Sequence, residues 1–302
     1  MPDQLSQETY RAVLEGLPIG VYLVDRDRRI VLWNSGAERL TGYLRQEVIG
    51  RLCRDDLLMH CDEKQACLCG VACPLRQTMG DGEARAADVF LLHKNGQRVP
   101  VSIRAVAVRD DSGAIVGAVE CFDRRLILPT ADPVLHKLSR AAVVDELTGL
   151  PDYASTLACV GAYLEGYAAS PVPFGVLSIA VDTLDVLRQA SGRYSVDAVL
   201  SATGRTLAAV LGPNDLIGRW TEDRFLAVVT GCTAPTLLQA ATKMKRLVNL
   251  AGIPWWGDRL TVTVSMGGAV VRDGDTPETL TGRADATLEN SLLQFGDYVI
   301  VV

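Results

Sequence analysis

The chain has 302 residues, enough for two ordinary domains, and its 48% hydrophobic and 22% charged residues are the balance of a globular protein that folds in water. The formal net charge of −6 comes without a long run of Lys or Arg, which gives no electrostatic basis for binding nucleic acid. No apolar run approaches the ~18 residues that cross a membrane and the polar N-terminus does not resemble a signal peptide, so we expect a cytoplasmic protein.

The first elements predicted in chain order are a short helix over residues 8–16 and a β-hairpin with strands at 21–24 and 29–33. Asn34 can cap a following helix that ends at Gly42. A cysteine-rich stretch, residues 53–73, comes next. Residues 85–94, 98–109 and 114–122 then have the pattern of three strands, separated by turns that contain Asn-Gly and Ser-Gly.

This order of two strands, small helices and three antiparallel strands resembles a PAS domain. The segments that carry the resemblance are GVYLVDRDRRIVLWNSGAERLTGY and HKNGQRVPVSIRAVAVRDDSGAIVGAVECFDR. It covers roughly residues 6–123 and implies an α+β sensor domain, in which helices cup one face of a five-stranded sheet. A fold of this kind does not identify its ligand.

Residues 124–144 are predicted to be a linker. Pro129 and Pro133 prevent a helix from running through that stretch, although a short helix can begin after Pro133. We therefore expect no continuous coiled coil after the sensor, and a signal between the two halves has to cross a kinked connection.

From Asp145 the pattern changes to strands that alternate with helices, which is typical of an α/β domain over residues 145–302. The segment DELTGLPDYASTL is predicted to open a helix, and FGVLSIAV is a buried strand. The later predicted elements are a helix SVDAVLSATGRTLAAVL, a hairpin DLIGRWTEDRFLAVV, a helix APTLLQAATKMKRLVNLAG, a strand LTVTVSMGGAVV, a helix ETLTGRADATLENSLLQFG and a strand DYVIVV.

Three motifs in this half, in the same order, resemble a GGDEF domain, which has a nucleotidyl-cyclase-like fold. DELTGLP matches the opening D-x-L-T-G-L-P, VSMGGA matches V-S-x-G-x-A, and RADATL matches A-D-x-A-L. The family makes cyclic di-GMP from two GTP molecules, one held by each of two facing domains, and this phosphoryl transfer needs metal ions such as Mg²⁺. The resemblance therefore implies a homodimer and two metal-binding carboxylates.

The positions of both carboxylates carry other side chains here. Ala180 stands at the first position of a D-x-D on the buried strand, where only the second Asp, Asp182, remains. Arg224 stands where the acidic residue before the Phe of G-G-D/E-E-F is expected. The degenerate signature reads Thr221-Glu222-Asp223-Arg224-Phe225. At ~4 Å and an effective dielectric constant of ~20, each unit of reversed charge changes the energy of a bound cation by roughly 4 kcal/mol.

Side chains that the resemblance assigns to the nucleotide also differ. Arg188 stands where a guanine-reading Asn is usual, Asp197 matches the usual Asp, and Leu292 replaces a phosphate-binding Lys. The product-inhibition motif R-x-x-D reads Gly212-Pro213-Asn214-Asp215, without its Arg.

Three interpretations of the second domain stay open. In the first, which we favour, it has no catalytic residues and acts as a relay or dimerisation module for a signalling partner protein. In the second it is an active diguanylate cyclase in which Asp182, Glu222 and Asp223 hold Mg²⁺. In the third, Arg224 pairs with phosphate, so that GTP or cyclic di-GMP binds as an effector without turnover. The candidate nucleotide-binding residues are then Asp197, Arg188, Asp223 and Arg224.

Five of the eight cysteines lie between Cys53 and Cys73. Thiolate and imidazole suit zinc or an iron–sulfur cluster, and in a reducing cytoplasm a tight cluster indicates a metal or redox site before structural disulfides. The candidate residues are Cys53, His60, Cys61, Cys67, Cys69 and Cys73. Cys69 and Cys73 are expected to share one helical turn. Because the spacing matches no strong metal motif, a redox thiol switch and cysteines merely packed in a helical insert stay open as alternatives.

The sequence thus predicts a bacterial signalling protein with a PAS sensor and a degenerate GGDEF domain. The cysteine-rich stretch is expected to sense redox state or metal, and the second domain to pass the signal on.

Overall fold

A computed structural model describes residues 6–53, 55, 57–62, 64, 66–70, 72–125, 142–255, 258–294 and 296–302. The chain divides into two compact units, Met1–Leu126 and Ile127–Val302. The predicted linker prolines, Pro129 and Pro133, and the short helix after them lie outside the described residues. Among the described residues, no helix is long and apolar enough to span a bilayer.

The first unit is built on a five-stranded antiparallel sheet in the order β2-β1-β5-β4-β3. Its strands are β1 (Gly20–Asp25), β2 (Ile30–Trp33), β3 (Arg85–Leu92), β4 (Arg98–Arg109) and β5 (Ile115–Arg124). Its helices are α1 (Gln7–Gly16), α2 (Ser35–Thr41), α3 (Arg45–Val48) and α4 (Pro74–Asp81). The predicted α+β architecture is confirmed.

The hydrophobic core of this unit lies between the sheet and the segment that connects β2 with β3. Tyr22, Trp33 and Phe122 meet there, with ring centroids 5.6 to 6.4 Å apart. Burying each large side chain contributes roughly 1.5–3 kcal/mol. Asn34 starts α2 as predicted, because its Oδ1 accepts from the Ala37 N–H at 2.8 Å, and the same oxygen accepts from the Val21 N–H, which ties the helix to β1.

The second unit has a five-stranded mixed sheet in the order β12-β11-β6-β8-β7. Its strands are β6 (Phe174–Val181), β7 (Leu216–Arg219), β8 (Arg224–Thr230), β11 (Val264–Val270) and β12 (Val299–Val301), and a separate two-stranded sheet pairs β9 (Ile253–Trp255) with β10 (Asp258–Leu260). Its helices are α5 (Tyr153–Ala169), α6 (Leu184–Ala208), α7 (Ala234–Leu250) and α8 (Pro277–Leu292). One core cluster packs α6 and α7 on the sheet, and another packs α5 and α8. The predicted α/β fold is confirmed.

Two local details differ from the sequence expectation. The DELTGLP segment forms a turn and not the start of a helix, because the Asp145 Oδ1 accepts from both the Thr148 N–H at 2.9 Å and the Thr148 hydroxyl at 2.7 Å. Helix α5 begins after it, where Asp152 caps the Ser155 N–H. Helix α6 begins earlier than predicted and is kinked at Gly192, whose φ of 78° and ψ of −178° are non-helical.

Candidate functional site

Residues 221–225 form the tip of the β7–β8 hairpin and the start of β8. Thr221, Glu222 and Asp223 are exposed, and the Thr221 hydroxyl bonds the Asp223 carboxylate at 2.7 Å. The Arg224 C=O accepts from the Trp220 N–H at 2.9 Å and closes the turn. Phe225, the last residue of the signature, is fully buried in the core. The tip therefore presents polar side chains to solvent on a base that is fixed by packing.

The two positions at which the resemblance places metal carboxylates face each other. Strands β6 and β8 are antiparallel, and their register pairs Ala180 directly with Arg224. Side chains of directly opposite residues lie on the same face of the sheet. The Arg224 guanidinium turns to Glu289 on α8, with its Nη2 2.8 Å from the Glu289 Oε1. A methyl group and a paired guanidinium thus occupy this place.

The carboxylate of Asp182 is buried and accepts three hydrogen bonds. Its Oδ1 accepts from the Ser265 hydroxyl at 2.8 Å, and its Oδ2 accepts from the Thr263 hydroxyl at 2.6 Å and the Asp297 N–H at 2.9 Å. These bonds tie the end of β6 to the start of β11 and to the loop before β12. In this arrangement Asp182 joins three parts of the chain.

A cleft of about 450 Å³ adjoins these residues and brings together the carboxylates that the sequence left as candidates for Mg²⁺. Asp182, Glu222 and Asp223 line it together with Asp185, and the cations that line it are Arg188 and Arg224. Leu292, at the expected position of a phosphate-binding Lys, is part of the same wall. Divalent cations need several carboxylate oxygens in one shell. Among the described residues, no three of these side chains are arranged to hold such an ion, and the Asp182 oxygens are already bonded to three donors.

A second cleft, of about 640 Å³, contains the predicted nucleotide-binding residues Arg188 and Asp197. Arg188 lines both clefts and pairs with the exposed Asp185 at 2.9 Å. Asp197 lies 3.7 Å from the Nε of Arg193, which also lines this cleft. Of the predicted nucleotide-binding residues, Asp197 lines this cleft, Asp223 and Arg224 line the smaller one, and Arg188 lines both.

Arg219 is a residue of this site that the sequence analysis did not identify. It is buried, and its Nε donates to the Thr221 C=O at 2.7 Å while its Nη2 donates to the Glu222 C=O. The guanidinium carbon lies 5.1 Å from the centre of the Phe225 ring, and burial lowers the pKa of the side chain. Its Nη1 has no hydrogen-bond partner among the described residues. An Arg two residues before the signature is the only sign of this role in the sequence.

In the first unit, the five cysteines differ in burial. Cys53 and Cys73 are buried in the hydrophobic core, and Cys69 is half-buried. Burial raises the pKa of Cys53 to about 12, with a smaller contribution from Cys73, and it raises the pKa of Cys69 to about 12, where Cys67 is the neighbouring thiol that contributes most. Cys61 is buried outside that core cluster and forms isolated β-bridges with Phe90 of β3 and with the exposed Cys67. Cys73 precedes α4 as its N-cap, so the expectation that Cys69 and Cys73 share one helical turn is wrong.

His60 joins a buried polar cluster that the sequence did not reveal. The Tyr22 hydroxyl donates to the Glu120 Oε1 at 2.9 Å, and the His60 Nε2 lies 3.9 Å from the same oxygen without a hydrogen-bond partner among the described residues. Burial raises the pKa of Glu120 to about 7 and, with the charge of Arg98, lowers the pKa of His60 to about 4. Glu120 lies on β5 and Tyr22 on β1, far from the cysteines in sequence.

Within the described part of the chain, no group of three or more His, Cys, Asp or Glu side chains is arranged to hold a metal ion. The zinc or iron–sulfur centre at the cysteine-rich stretch stays a prediction.

Comparison with known families assigns both units. The family described as diguanylate cyclase, GGDEF domain, matches residues 142–295, and a PAS domain family matches residues 18–123.

Individual relatives are distant. The probable diguanylate cyclase DgcE of Escherichia coli is 21% identical over 273 residues, which are 89% of this chain and 24% of DgcE, so the chain spans about a quarter of that relative. The solved structure of the diguanylate cyclase SiaD with its activator SiaC, from Pseudomonas aeruginosa, is 24% identical, covers 56% of this chain and 65% of that one, and superposes with a TM-score of 0.53. The GGDEF domain of DgcB from Caulobacter crescentus, in complex with c-di-GMP, is 17% identical, covers 53% and 95%, and has a TM-score of 0.51. These structural likenesses are evidence of fold.

Proposed function

Because the chain belongs to the GGDEF domain family and is a signalling protein of the cyclic di-GMP kind, we propose that its GGDEF domain relays a signal without making cyclic di-GMP. A PAS domain precedes the GGDEF domain. The PAS domain would receive the signal. The GGDEF domain would act by conformation, by association with a second copy or by contact with a signalling partner.

The observation that carries this proposal is the pairing of Ala180 with Arg224. Phosphoryl transfer between nucleotides depends on cations that neutralise the phosphate charge. A guanidinium directly opposite a methyl group supplies neither of the two carboxylates that the family uses, and its charge repels a cation. Glu289 holds that guanidinium at the cleft, since the two side chains pair at 2.8 Å.

The direct test incubates the full chain with GTP and either Mg²⁺ or Mn²⁺ and measures products by mass spectrometry. We expect no cyclic di-GMP above the level of a reaction without protein. Metal-dependent formation of cyclic di-GMP that is lost in Glu222→Gln or Asp223→Asn would contradict the proposal and favour an active cyclase. These exposed carboxylates make better variants than Asp182, whose replacement also disturbs the fold.

A second function, binding of GTP or cyclic di-GMP as an effector, is favoured by the cleft of about 640 Å³. Arg188 lines both that cleft and the smaller one, so its guanidinium is placed to pair with a phosphate in either. Calorimetry with each nucleotide tests this, and Arg188→Ala should weaken binding about 10-fold, the loss of one charge-assisted contact of about 1.4 kcal/mol. Arg246→Ala, on the exposed side of α7, is the matched control. No binding of either nucleotide, or equal weakening by both variants, would exclude this second function.

For the first domain we propose that the cysteine-rich stretch is the sensing element, responsive to oxidation or to a bound metal. The supporting features are the concentration of five of the eight cysteines between Cys53 and Cys73, and the burial of Cys53 and Cys73 in one hydrophobic core. Metal analysis and an absorption spectrum of protein purified without oxygen test it. Absence of metal and chromophore, together with no thiol-dependent change on oxidation, would contradict the sensing role.

A further inference from the structure

Cys61, in the cysteine-rich stretch, forms an isolated β-bridge with Phe90 on β3, the edge strand of the sensor sheet. The Cys61 N–H donates to the Phe90 C=O at 3.0 Å, and the Phe90 N–H donates back to the Cys61 C=O at 2.8 Å. Two residues further on, the Leu92 N–H donates to the Leu58 C=O at 2.6 Å. Cys61 is therefore fixed by its main chain to β3, and its position does not depend on its own side chain.

Cys61 also takes part in a second isolated bridge, with Cys67. The Asp62 N–H donates to the Ala66 C=O at 3.1 Å, and the Leu68 N–H donates to the His60 C=O at 2.8 Å. These two bonds flank Cys61 and Cys67, which are directly opposite each other in an antiparallel bridge. The pair is therefore of the non-hydrogen-bonded kind, in which the side chains are closest.

Such a pair has the separation that a disulfide requires. In a non-hydrogen-bonded antiparallel pair the Cα atoms are roughly 4.5 Å apart, and both side chains leave the same face. Disulfides form when the Cα atoms are about 4.4–6.8 Å apart. The backbone around Cys61 and Cys67 can thus accept the bond without a change of register.

The two thiols differ in their access to an oxidant. Cys67 is exposed, whereas Cys61 is buried and its Sγ makes a weak contact of 3.8 Å with the Phe90 C=O. Burial also raises the pKa of the Cys61 thiol. An oxidant from solvent therefore reaches Cys67 first, and Cys61 is the neighbour that can complete the reaction.

We propose that Cys61 and Cys67 form a reversible disulfide when the protein meets a hydroperoxide. The Cys67 thiolate attacks the peroxide oxygen, the O–O bond breaks, and a sulfenic acid and one molecule of water or alcohol result. The Cys61 sulfur then attacks the sulfenic sulfur, water leaves, and the S–S bond forms. The two thiols lose two electrons in total, which the peroxide takes up. This inference deepens the proposed sensing role and rests on it for its biological meaning. The formation of the disulfide can be tested independently of that role.

Peptide mapping of the full chain tests the chemistry. Reduced protein is treated with hydrogen peroxide at equal concentration, free thiols are blocked at acidic pH, and the sample is digested with trypsin without reduction. Cleavage after Lys64 separates Cys61, in peptide 55–64, from Cys67, in peptide 65–76. We expect the two peptides to be joined, with a loss of two free thiols per chain that dithiothreitol reverses.

Variants identify the partner, since peptide 65–76 also contains Cys69 and Cys73. Cys67→Ser should abolish the joined peptides, and the matched control Cys69→Ser should retain them. Joined peptides that persist in Cys67→Ser would overturn the inference, because Cys61 would then pair with another thiol. Oxidation of Cys67 to sulfinic acid without a joined species in the wild-type chain would overturn it as well.

A separate measurement distinguishes the disulfide from the proposed sensing role. Reduced and oxidised full-length protein are compared by size-exclusion chromatography and by calorimetry with cyclic di-GMP. A change in association or affinity that Cys67→Ser abolishes supports both. A disulfide that forms without changing either quantity supports the inference and counts against the sensing role.

Discussion

The Asp182 carboxylate accepts three hydrogen bonds, and its removal would leave the three donors without this acceptor. We expect Asp182→Ala to lower the free energy of unfolding of the second unit by about 3 kcal/mol, since hydrogen bonds to a charged acceptor contribute roughly 1.5–3 kcal/mol each and are partly replaced by water. Urea denaturation measures this change.

The matched control is Asp185→Ala, in which the replaced side chain is 85% exposed and lies three positions after Asp182. An exposed substitution of this kind should change stability by no more than about 0.5 kcal/mol. Equal effects of the two variants would show that the three bonds to Asp182 do not stabilise the fold.

At the same scale, Glu120 makes the stability of the first unit depend on pH. Its pKa is about 7 in the folded chain against an ordinary 4.5, so the folded state holds a proton that the unfolded state has lost between these values. The stabilisation from this group is complete below pH 4.5 and is lost as the pH rises through 7. The free energy lost is about 3 kcal/mol, at 1.36 kcal/mol per pKa unit.

His60 has the opposite effect, because its lowered pKa makes the stability of the first unit fall as the pH drops from 6.5 to 4.

The comparison of Glu120→Gln with the wild-type chain isolates the first effect, because His60 is present in both. Relative to the wild type, the variant should gain about 3 kcal/mol in the free energy of unfolding between pH 4.5 and 7, measured by urea denaturation at each pH. Glu83→Gln, at an exposed position, should show no such trend. A flat difference for Glu120→Gln would mean that the carboxyl ionises normally in the folded state.

The sequence predicted the positions of some of these site residues, but it did not predict their hydrogen-bond partners. Ala180 and Arg224 were visible in the sequence because a motif defines their places, and Asp182 was visible as the remaining acid of its strand. Its donors were not, since Ser265 and Asp297 are 83 and 115 positions away and the contact depends on how β11 and the last loop pack. The bonds of Arg219 to the hairpin tip lacked a motif entirely.

At the scale of an element, the kink in α6 requires a glycine. Gly192 has φ 78° and ψ −178°, a conformation that costs other residues roughly 1–3 kcal/mol. Gly192→Ala should therefore destabilise the second unit by that amount in urea denaturation. There is open space around its Cα, so a clash would not be the cause.

Gly166→Ala is the matched control for backbone conformation. Gly166 lies inside α5, is exposed and also has open space beside it, and there alanine should stabilise by roughly 0.5–1 kcal/mol because it restricts the unfolded chain. The two variants should therefore have opposite signs. The same sign at both positions would contradict a conformational origin for the effect at Gly192.

Elements with a strong local pattern were predicted from sequence, and those set by tertiary contacts were not. The strands β3, β4 and β5 and the hairpin β7–β8 appeared through alternation and turn residues. The pairing of Cys61 with Phe90 was not predicted, because a stretch rich in Cys and Gly has no periodicity and its hydrogen bonds are made to a strand 29 positions later. The β9–β10 pair is similarly short, with three residues in each strand.

At the scale of the whole molecule, each unit has its own hydrophobic core, so we expect two unfolding transitions in calorimetry. Asp182→Ala should lower one transition by roughly 6–12 °C, given about 3 kcal/mol and 2–4 °C per kcal/mol for a domain of this size. The other transition should stay within about 1 °C. One cooperative transition that moves as a whole would contradict this expectation.

The register that pairs residues 180 and 224 is made by main-chain hydrogen bonds and is indifferent to the side chains it carries. The main-chain pairing that would place two carboxylates opposite each other is therefore present, and under the proposed function it is the side chains at positions 180 and 224 that differ from the expected acids. Replacing Ala180 and Arg224 by acidic residues would have a further consequence, however. Glu289, now the partner of Arg224, would become a third carboxylate beside the restored pair, so that a lineage regaining the chemistry would also have to change α8.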